Sequence, residues 1–346
     1  MRSYTFAVVG AGFMGSTHVR AIQAIPGARV AVVSARTETT GRALAESCQA
    51  DWTPDYREAV TRDDVDIVSI CTPSGFHLQP AELAAQSGKQ LIIEKPLEIT
   101  VERADRILHA AEKAGVRITC IFPYRFHAGV AKTRAALARR RLGRLTLAGC
   151  YVKWYRRQDY YSGSWHGTKA LDGGGALINQ SIHSIDLLLH LAGPVSSVVG
   201  KISTLAHDME TEDTAGALLT FANGALGVIE AGTGCWPGGP ARVEFHGERG
   251  TIVLVEGRIT VWKIQGAPAG EEESMLALEE LAPSGARASS DFSISELHRL
   301  QILDFLEAIQ LGRQPLVDGR EGRKAVEIVQ AIYSSAAANK AVFLPL

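Results

Sequence analysis

The stretch "LDGGGALINQSIHSIDLLLHL", Leu171 to Leu191, carries Asn179, His183, Asp186 and His190 at successive spacings of four, three and four. Residues three and four apart share one side of an α-helix. The spacing therefore predicts a helix with these four polar groups on one stripe and Ile178, Ile182, Ile185 and Leu189 facing elsewhere. A helix that is apolar elsewhere is buried, and a buried polar group left unpaired costs about 1–3 kcal/mol. The stripe needs partners, from the protein or from a substrate. His183 has the chemistry to take or return a proton, because an imidazole ordinarily titrates near pH ~6.5. Asn179 can orient a hydroxyl or a ring nitrogen but cannot accept a proton. Asp186 and His190 lie about 4.5 and 10.5 Å beyond His183 along the axis, at ~1.5 Å per residue, and read as structural. No cysteine or carboxylate pair reinforces a metal reading of His183, Asp186 and His190, so no metal is expected.

Two further groups could do chemistry. In "YTFAVVGAGFMGSTHVRAI" a β-rich run passes through Gly10, Gly12 and Gly15 into a helical pattern. Glycines so placed permit a tight turn, close approach of a pyrophosphate and close helix–strand packing, with the helix N-terminus facing the negative charge. The second strand, "ARVAVVSAR", ends in Ser34, Ala35, Arg36 and Thr37 with no carboxylate before Glu38. A missing acid and an available guanidinium point to NADP(H), with NAD(H) also usable; the alternative is Arg36 stacked on the adenine of NAD. Lys95 follows a buried strand in "QLIIEKPL", and Pro96 keeps it out of helical geometry. An ammonium beside an alcohol and an oxidised nicotinamide stabilises the alkoxide that develops before hydride leaves. The plain alternative is a surface lysine ahead of a helix.

The segment "YVKWYRRQDYYSGSWHGTK", Tyr151 to Lys169, interleaves aromatics with Lys153, Arg156, Arg157 and Lys169. Aromatic faces and charged donors suit a polyhydroxylated ring, including one that bears carboxylate or phosphate; otherwise the segment is an amphipathic edge strand and interface loop.

Positioning these residues requires two domains, for which 346 residues with 46% hydrophobic content suffice. Residues 1–122 read as a Rossmann domain of alternating strands and helices, and 123–346 as a substrate-binding and oligomerisation domain whose final helices are able to pack back on the first. "VSSVVGKIST", "TAGALLTFANGALGVIEAGT" and "ARVEFHGERGTIVLVEGRITVWKI" read as hairpins of one broad sheet. "QGAPAGEEESMLALEELAPSGARASS" reads as an exposed, mobile excursion. "RRRLGR" reads as the close of a helix. A net charge of −1 argues against nucleic acid and anionic membranes. Five scattered cysteines and no long apolar run suggest a cytoplasmic protein. Small and apolar residues in the alternating strands would leave one sheet face sticky in water, so a homodimer or homotetramer joined sheet to sheet is expected.

The glycine motif, Glu94-Lys95-Pro96, "DGGGALINQSIHSIDLL", "CTPSGFH" (Cys71–His77) and "YRFH" (Tyr124–His127) together resemble the glucose–fructose oxidoreductase/inositol dehydrogenase/MocA family over essentially the whole chain. The resemblance implies an α/β protein: an N-terminal Rossmann dinucleotide-binding domain, then an α/β domain with a large, mostly antiparallel open sheet. It also implies hydride transfer between NAD(P) and a ring hydroxyl or ketone of a sugar, cyclitol or related compound. Carried over by residue, it makes Lys95 and His183 catalytic and puts Asn179, Arg156, Tyr160, Trp165 and Asp172 on the substrate. The implied cofactor residues are Gly10, Gly12, Phe13, Met14, Gly15, Ser34, Arg36, Thr37, Cys71, Thr72, Pro73, His77, Glu94, Lys95 and Arg125. Inositol-dehydrogenase relatives commonly have Asp four residues before the histidine. Asn179 departs from that and resembles the branch that includes sugar-nucleotide uronate 3-dehydrogenases; His183 must then act alone or through water, and an Asp at 179 is expected to be tolerated. Two other readings stay open: a glycosidase that oxidises its sugar transiently, and a cofactor-binding regulator, whose signature would be loss of the lysine and histidine.

Overall fold

In a computed structural model, residues 3–279 and 290–346 are described, and the chain divides into two compact units, Met1–Pro123 with Ala288–Arg323 and Tyr124–Arg287 with Lys324–Leu346. In the first, strands β1 (Tyr4–Val9), β2 (Ala28–Ser34), β3 (Asp51–Thr53), β4 (Ile67–Ile70), β5 (Gln90–Ile93) and β6 (Ile118–Cys120) form a sheet in the order β3-β2-β1-β4-β5-β6. Every neighbouring pair is parallel. Helices α1 (Phe13–Gln23), α2 (Glu38–Ser47), α3 (Tyr56–Thr61), α4 (Leu78–Gln86) and α5 (Val101–Ala114) make the crossovers. Strands covered on both faces are buried nearly throughout, as β4 and most of β1 are, and the one polar group of β4, Ser69, is hydrogen-bonded. The strand order reverses between β1 and β4, where such sheets open a crevice at the carboxyl ends of their strands. The core of this unit includes Phe6, Val19, Ile22 and Ile92 together with Ile302, Phe305 and Leu306 from the returning segment.

The second unit holds β7 (Leu145–Lys153), β8 (Val195–Ser203), β9 (Thr214–Phe221), β10 (Leu226–Gly232), β11 (Arg242–Gly247), β12 (Gly250–Val255), β13 (Arg258–Ile264) and β14 (Val342–Phe343). Their order is β13-β12-β11-β7-β10-β9-β8-β14, antiparallel except for the β7–β10 pair. Helices α6 (Ala128–Ala138), α7 (Ile182–Ala192) and α8 (Glu271–Leu276) precede α9 (Ser290–Leu311) and α10 (Gly319–Ala338). Helix α7 packs on β7 and β11. On β7 to β10, paired register puts Leu147 with Leu226 and Leu218 with Val199, all four exposed.

Three expectations are corrected. The aromatic segment leaves the end of β7, a strand between β11 and β10, so it does not begin on an edge strand. Residues 271–276 of the expected excursion are helical, because Glu271 accepts hydrogen bonds from Arg141 Nη1 at 2.5 Å and Trp262 Nε1 at 2.7 Å; the part at 280–289 lies outside the described residues. Finally, Ala176–Ser181 is a π-helix that becomes α-helical only at Ile182. The wider turn breaks the single stripe of four polar groups.

Candidate functional site

In the first unit, the β1–α1 turn is built as the glycine spacing requires. A side chain on Gly15 would collide with the Gly10 carbonyl, whereas one on Gly12 would meet nothing within 4 Å. The backbone at Gly12 is thus open to an incoming group at the N-terminus of α1, which fits a dinucleotide pyrophosphate. Phe13 is exposed and Met14 half-buried beside it. At the end of β2, Ser34 is buried and Arg36 and Thr37 are exposed. Arg36 makes no hydrogen bond or ion pair among the described residues, while the nearest acid, Glu38, is engaged by Arg42 at 2.8 Å. Cys71, Thr72 and Pro73 are half-buried after β4. His77 is buried, with Nδ1 2.9 Å from the Pro96 carbonyl and Nε2 3.1 Å from the Thr72 carbonyl. It sits between two turns, and in the neutral ring a single N–H donates to one of these two carbonyls. Burial lowers its pKa against the pull of the Glu98 carboxylate. Lys95, half-buried, stands just beyond the end of β5, and its peptide bond to Pro96 is cis. Glu94 is buried and accepts the Lys95 amide N–H at 3.1 Å.

In the second unit, two of the three glycines before the π-helix are required by close contacts. A side chain on Gly175 would strike the Glu212 carbonyl, and one on Gly174 the Tyr333 hydroxyl. The Glu212 carboxylate accepts the N–H groups of Gly175 at 3.1 Å and Leu177 at 2.8 Å and the Tyr333 hydroxyl at 2.9 Å. Burial raises the Glu212 pKa, against those same hydrogen bonds. This brace turns Asn179 toward Asp172: its Nδ2 donates to Asp172 Oδ2 at 2.9 Å and lies 3.2 Å from His166 Nδ1. Asp172 Oδ2 also accepts the Gly167 N–H at 2.8 Å, and its buried Oδ1 has no hydrogen-bond partner.

Arg156 Nη2 donates to Gln180 Oε1 at 2.9 Å, and Gln180 Nε2 donates to the Tyr160 hydroxyl at 3.0 Å. The Arg156 guanidinium lies over Trp154 and Tyr160, and its buried Nε has no partner. His166 stacks on Tyr160 at 4.3 Å and touches Trp165 at 4.0 Å. The His183 ring packs 5.4 Å from Tyr124. Arg125, counted in sequence with the cofactor residues, directs Nε and Nη2 to Asp186 at 2.8 and 2.5 Å, both side chains being buried. Sequence reasoning missed His166 and Gln180. Their only signal was proximity to the aromatic segment and to Asn179.

Residues 4–122 match the oxidoreductase family with an NAD-binding Rossmann fold, and residues 130–253 match the GFO/IDH/MocA C-terminal domain. An inositol 2-dehydrogenase of Paracoccus denitrificans (strain Pd 1222) is 30% identical over 72% of this chain and 73% of its own length. The chain belongs to the GFO/IDH/MocA oxidoreductases. The levoglucosan dehydrogenase of Pseudarthrobacter phenanthrenivorans is 25% identical over 100% of this chain and 99% of its own. The WlbA dehydrogenase from Bordetella pertussis, solved in complex with NADH and UDP-GlcNAcA, superposes with a TM-score of 0.91 at 29% identity, covering 100% of this chain and 99% of that one. The oxidoreductase is thus an NAD(P)-dependent dehydrogenase of this family, and no helix among its described residues is long and apolar enough to cross a membrane.

Proposed function

We propose that the enzyme transfers hydride between a nicotinamide cofactor and a ring hydroxyl or ketone of a sugar or sugar derivative, with acidic sugars as the favoured class. The observation that carries this is the polar–aromatic cluster of the second unit, where Arg156, Tyr160, Trp165 and His166 stay half-buried and are linked through Gln180 and Asn179. Such a cluster offers a hydroxyl-rich ring donors, acceptors and aromatic faces together. Trp154, Tyr160 and Trp165 offer faces for its C–H surface, and the Arg156 guanidinium suits a carboxylate. The WlbA complex with a uronate nucleotide supports the acidic class; the levoglucosan and inositol enzymes support the broader one.

When bound, the nicotinamide accepts or returns the hydride. Lys95 stabilises the oxygen from which the proton departs, and His183 takes that proton or gives it back. Asn179 orients His166 and Asp172 around the ring. Exposed Arg36, with Glu38 drawn to Arg42, favours NADP(H) while still admitting NAD(H). The exposed face around Leu147, Leu226, Leu218 and Val199 is covered by a second copy, giving a dimer or tetramer. Light scattering at micromolar concentration tests this, and a mass near that of one chain, 37.1 kDa, contradicts it.

Enzyme, NAD or NADP and a panel of neutral sugars, inositols, uronates and their nucleotide and aryl conjugates, followed at the nicotinamide absorbance, test the main reading. A net change in reduced cofactor with uronates is expected. Release of the aglycone with no net change would identify the glycosidase instead.

A further inference from the structure

The carboxylate immediately before Lys95 is gripped by residues remote in sequence. Glu94 Oε2 accepts the Lys95 N–H, and Glu94 Oε1 accepts from His18 Nε2 at 2.9 Å; His18 Nδ1 meets Ser69 Oγ at 2.7 Å. On α9, His298 donates its Nδ1–H to the Ile294 carbonyl at 2.7 Å, which leaves Nε2 pointing at Glu94 Oε1 from 3.6 Å without a hydrogen bond. The His18 and His298 rings meet edge-on at 5.3 Å. His18, Ser69, Glu94 and His298 are all buried. Burial pushes the His18 pKa down; it would push Glu94 up, but the two histidines outweigh it and hold Glu94 well below the usual carboxylate range. A buried carboxylate needs polar partners packed against it, and the His298 ring, fixed by its bond to the Ile294 carbonyl, is one of them.

We propose that His298 is a positioning residue for Lys95, steadying from α9 the Glu94 carboxylate that holds the Lys95 backbone. This rests on the catalytic part given to Lys95 above. The inward atoms of His18, Glu94 and His298 lie within 4.8 Å of one another and are of metal-ligand type. His18 and Glu94 already share a hydrogen bond, however, so positioning is the reading the geometry favours and a bound metal is an outcome of the test.

The test uses the full-length enzyme and the variants His298→Asn, His298→Gln and Lys95→Met. Asn can keep the bond to the Ile294 carbonyl but falls short of Glu94, whereas Gln reaches it. His298→Asn should lower kcat ~10–100-fold with the cofactor KM changed less than about twofold, and His298→Gln should recover kcat to within about threefold of the parent. Equal kcat in both variants, or a parental kcat in His298→Asn, overturns the proposal. So does one equivalent of metal in the purified protein by mass spectrometry. If His298→Asn does not fold, His298→Met, which fills the space without a donor, replaces it in the comparison with His298→Gln. A Lys95→Met enzyme with the parental rate removes the functional reading itself; an inactive Lys95→Met beside a fully active His298→Asn removes only this inference.

Discussion

In the proposed reading the first unit offers its ligand mainly backbone, through the open chain at Gly12 and the turns that follow β4 and β5, while the second offers mainly side chains, those of Arg156, Tyr160, Trp165 and His166 among them. In the first unit His77 lies between two carbonyls and His18 meets Ser69 and Glu94, while His298 Nε2 and Arg103 Nε are buried without a hydrogen-bond partner. In the second, Asp172 and Arg156 each keep one buried atom without a partner. A surface of backbone amides suits a ligand that stays the same from one turnover to the next, and a set of polar and aromatic side chains suits one that must be chosen. Cofactor binding and substrate choice are thus assigned to different parts of the chain, and substitutions should separate them.

The largest effects are expected where proton and charge are handled. Lys95→Ala and His183→Ala should each slow single-turnover hydride transfer by ~10²–10⁴-fold, the span for general acid–base catalysis, while cofactor binding measured by fluorescence stays near the parent. A His183→Ala enzyme with the parental rate and pH profile would return that residue to the core.

Next is Asn179→Asp, where the structure reverses the sequence-based expectation of tolerance. The new carboxylate would stand in place of an amide that donates to Asp172 Oδ2 at 2.9 Å. Two carboxylates so close do not both ionise, so one retains a proton and the His166 geometry is lost. A ~10-fold or greater fall in kcat/KM for sugar, relieved toward low pH, is expected in initial-rate profiles. A flat profile at the parental rate would mean that Asp172 and residue 179 move apart.

Arg36→Ala should weaken NADP(H) by about 1–3 kcal/mol and leave NAD(H) nearly unchanged, by calorimetric titration. Equal losses for both cofactors would assign Arg36 to adenine stacking.

The smallest effect concerns acid. His18 and His77 are buried with lowered pKa, so the unfolded chain takes up their protons first, and the stability they confer is complete above pH ~6.5 and lost as pH falls below it. Glu212 behaves oppositely: its raised pKa means that the folded state holds the proton at higher pH, and its contribution improves on acidification. Melting followed between pH ~7.5 and ~5.5 should show the first unit loosening before the second, and His77→Gln should flatten that dependence. Both units weakening in parallel would erase the contrast.

The same contrast explains what could be read in advance. The glycine turn and Lys95 were legible because their geometry is local: a strand, three glycines at fixed spacing and a helix leave one arrangement. Both sheets could be read in outline, the first from apolar runs followed by helical patterns and the second from alternation and turn residues, although β3, β6 and β14 were too short to signal and most of β7 was not marked as a strand. The π-helix was not legible, because what supports it is Glu212, far downstream, and the uniform apolar spacing around Ile178 and Ile182 says nothing of that brace. Asn179 was singled out as a polar group expected to be buried; it is half-buried, and its partner is a matter of tertiary structure. The Glu94 cluster draws on α1, β4 and α9, three segments that no local pattern links.

One consequence of the returning segment concerns the order in which the molecule is made. Ile302, Phe305 and Leu306 complete a core begun by Phe6, Val19 and Ile22. A nascent chain elongating at ~5–20 residues per second therefore carries this core incomplete for on the order of ten seconds or more before those side chains exist. During this interval the glycine turn is already synthesised but Glu94 still lacks His298. A fragment ending at Pro123 prolongs the interval indefinitely, so it is the form most dependent on chaperones and most prone to aggregate.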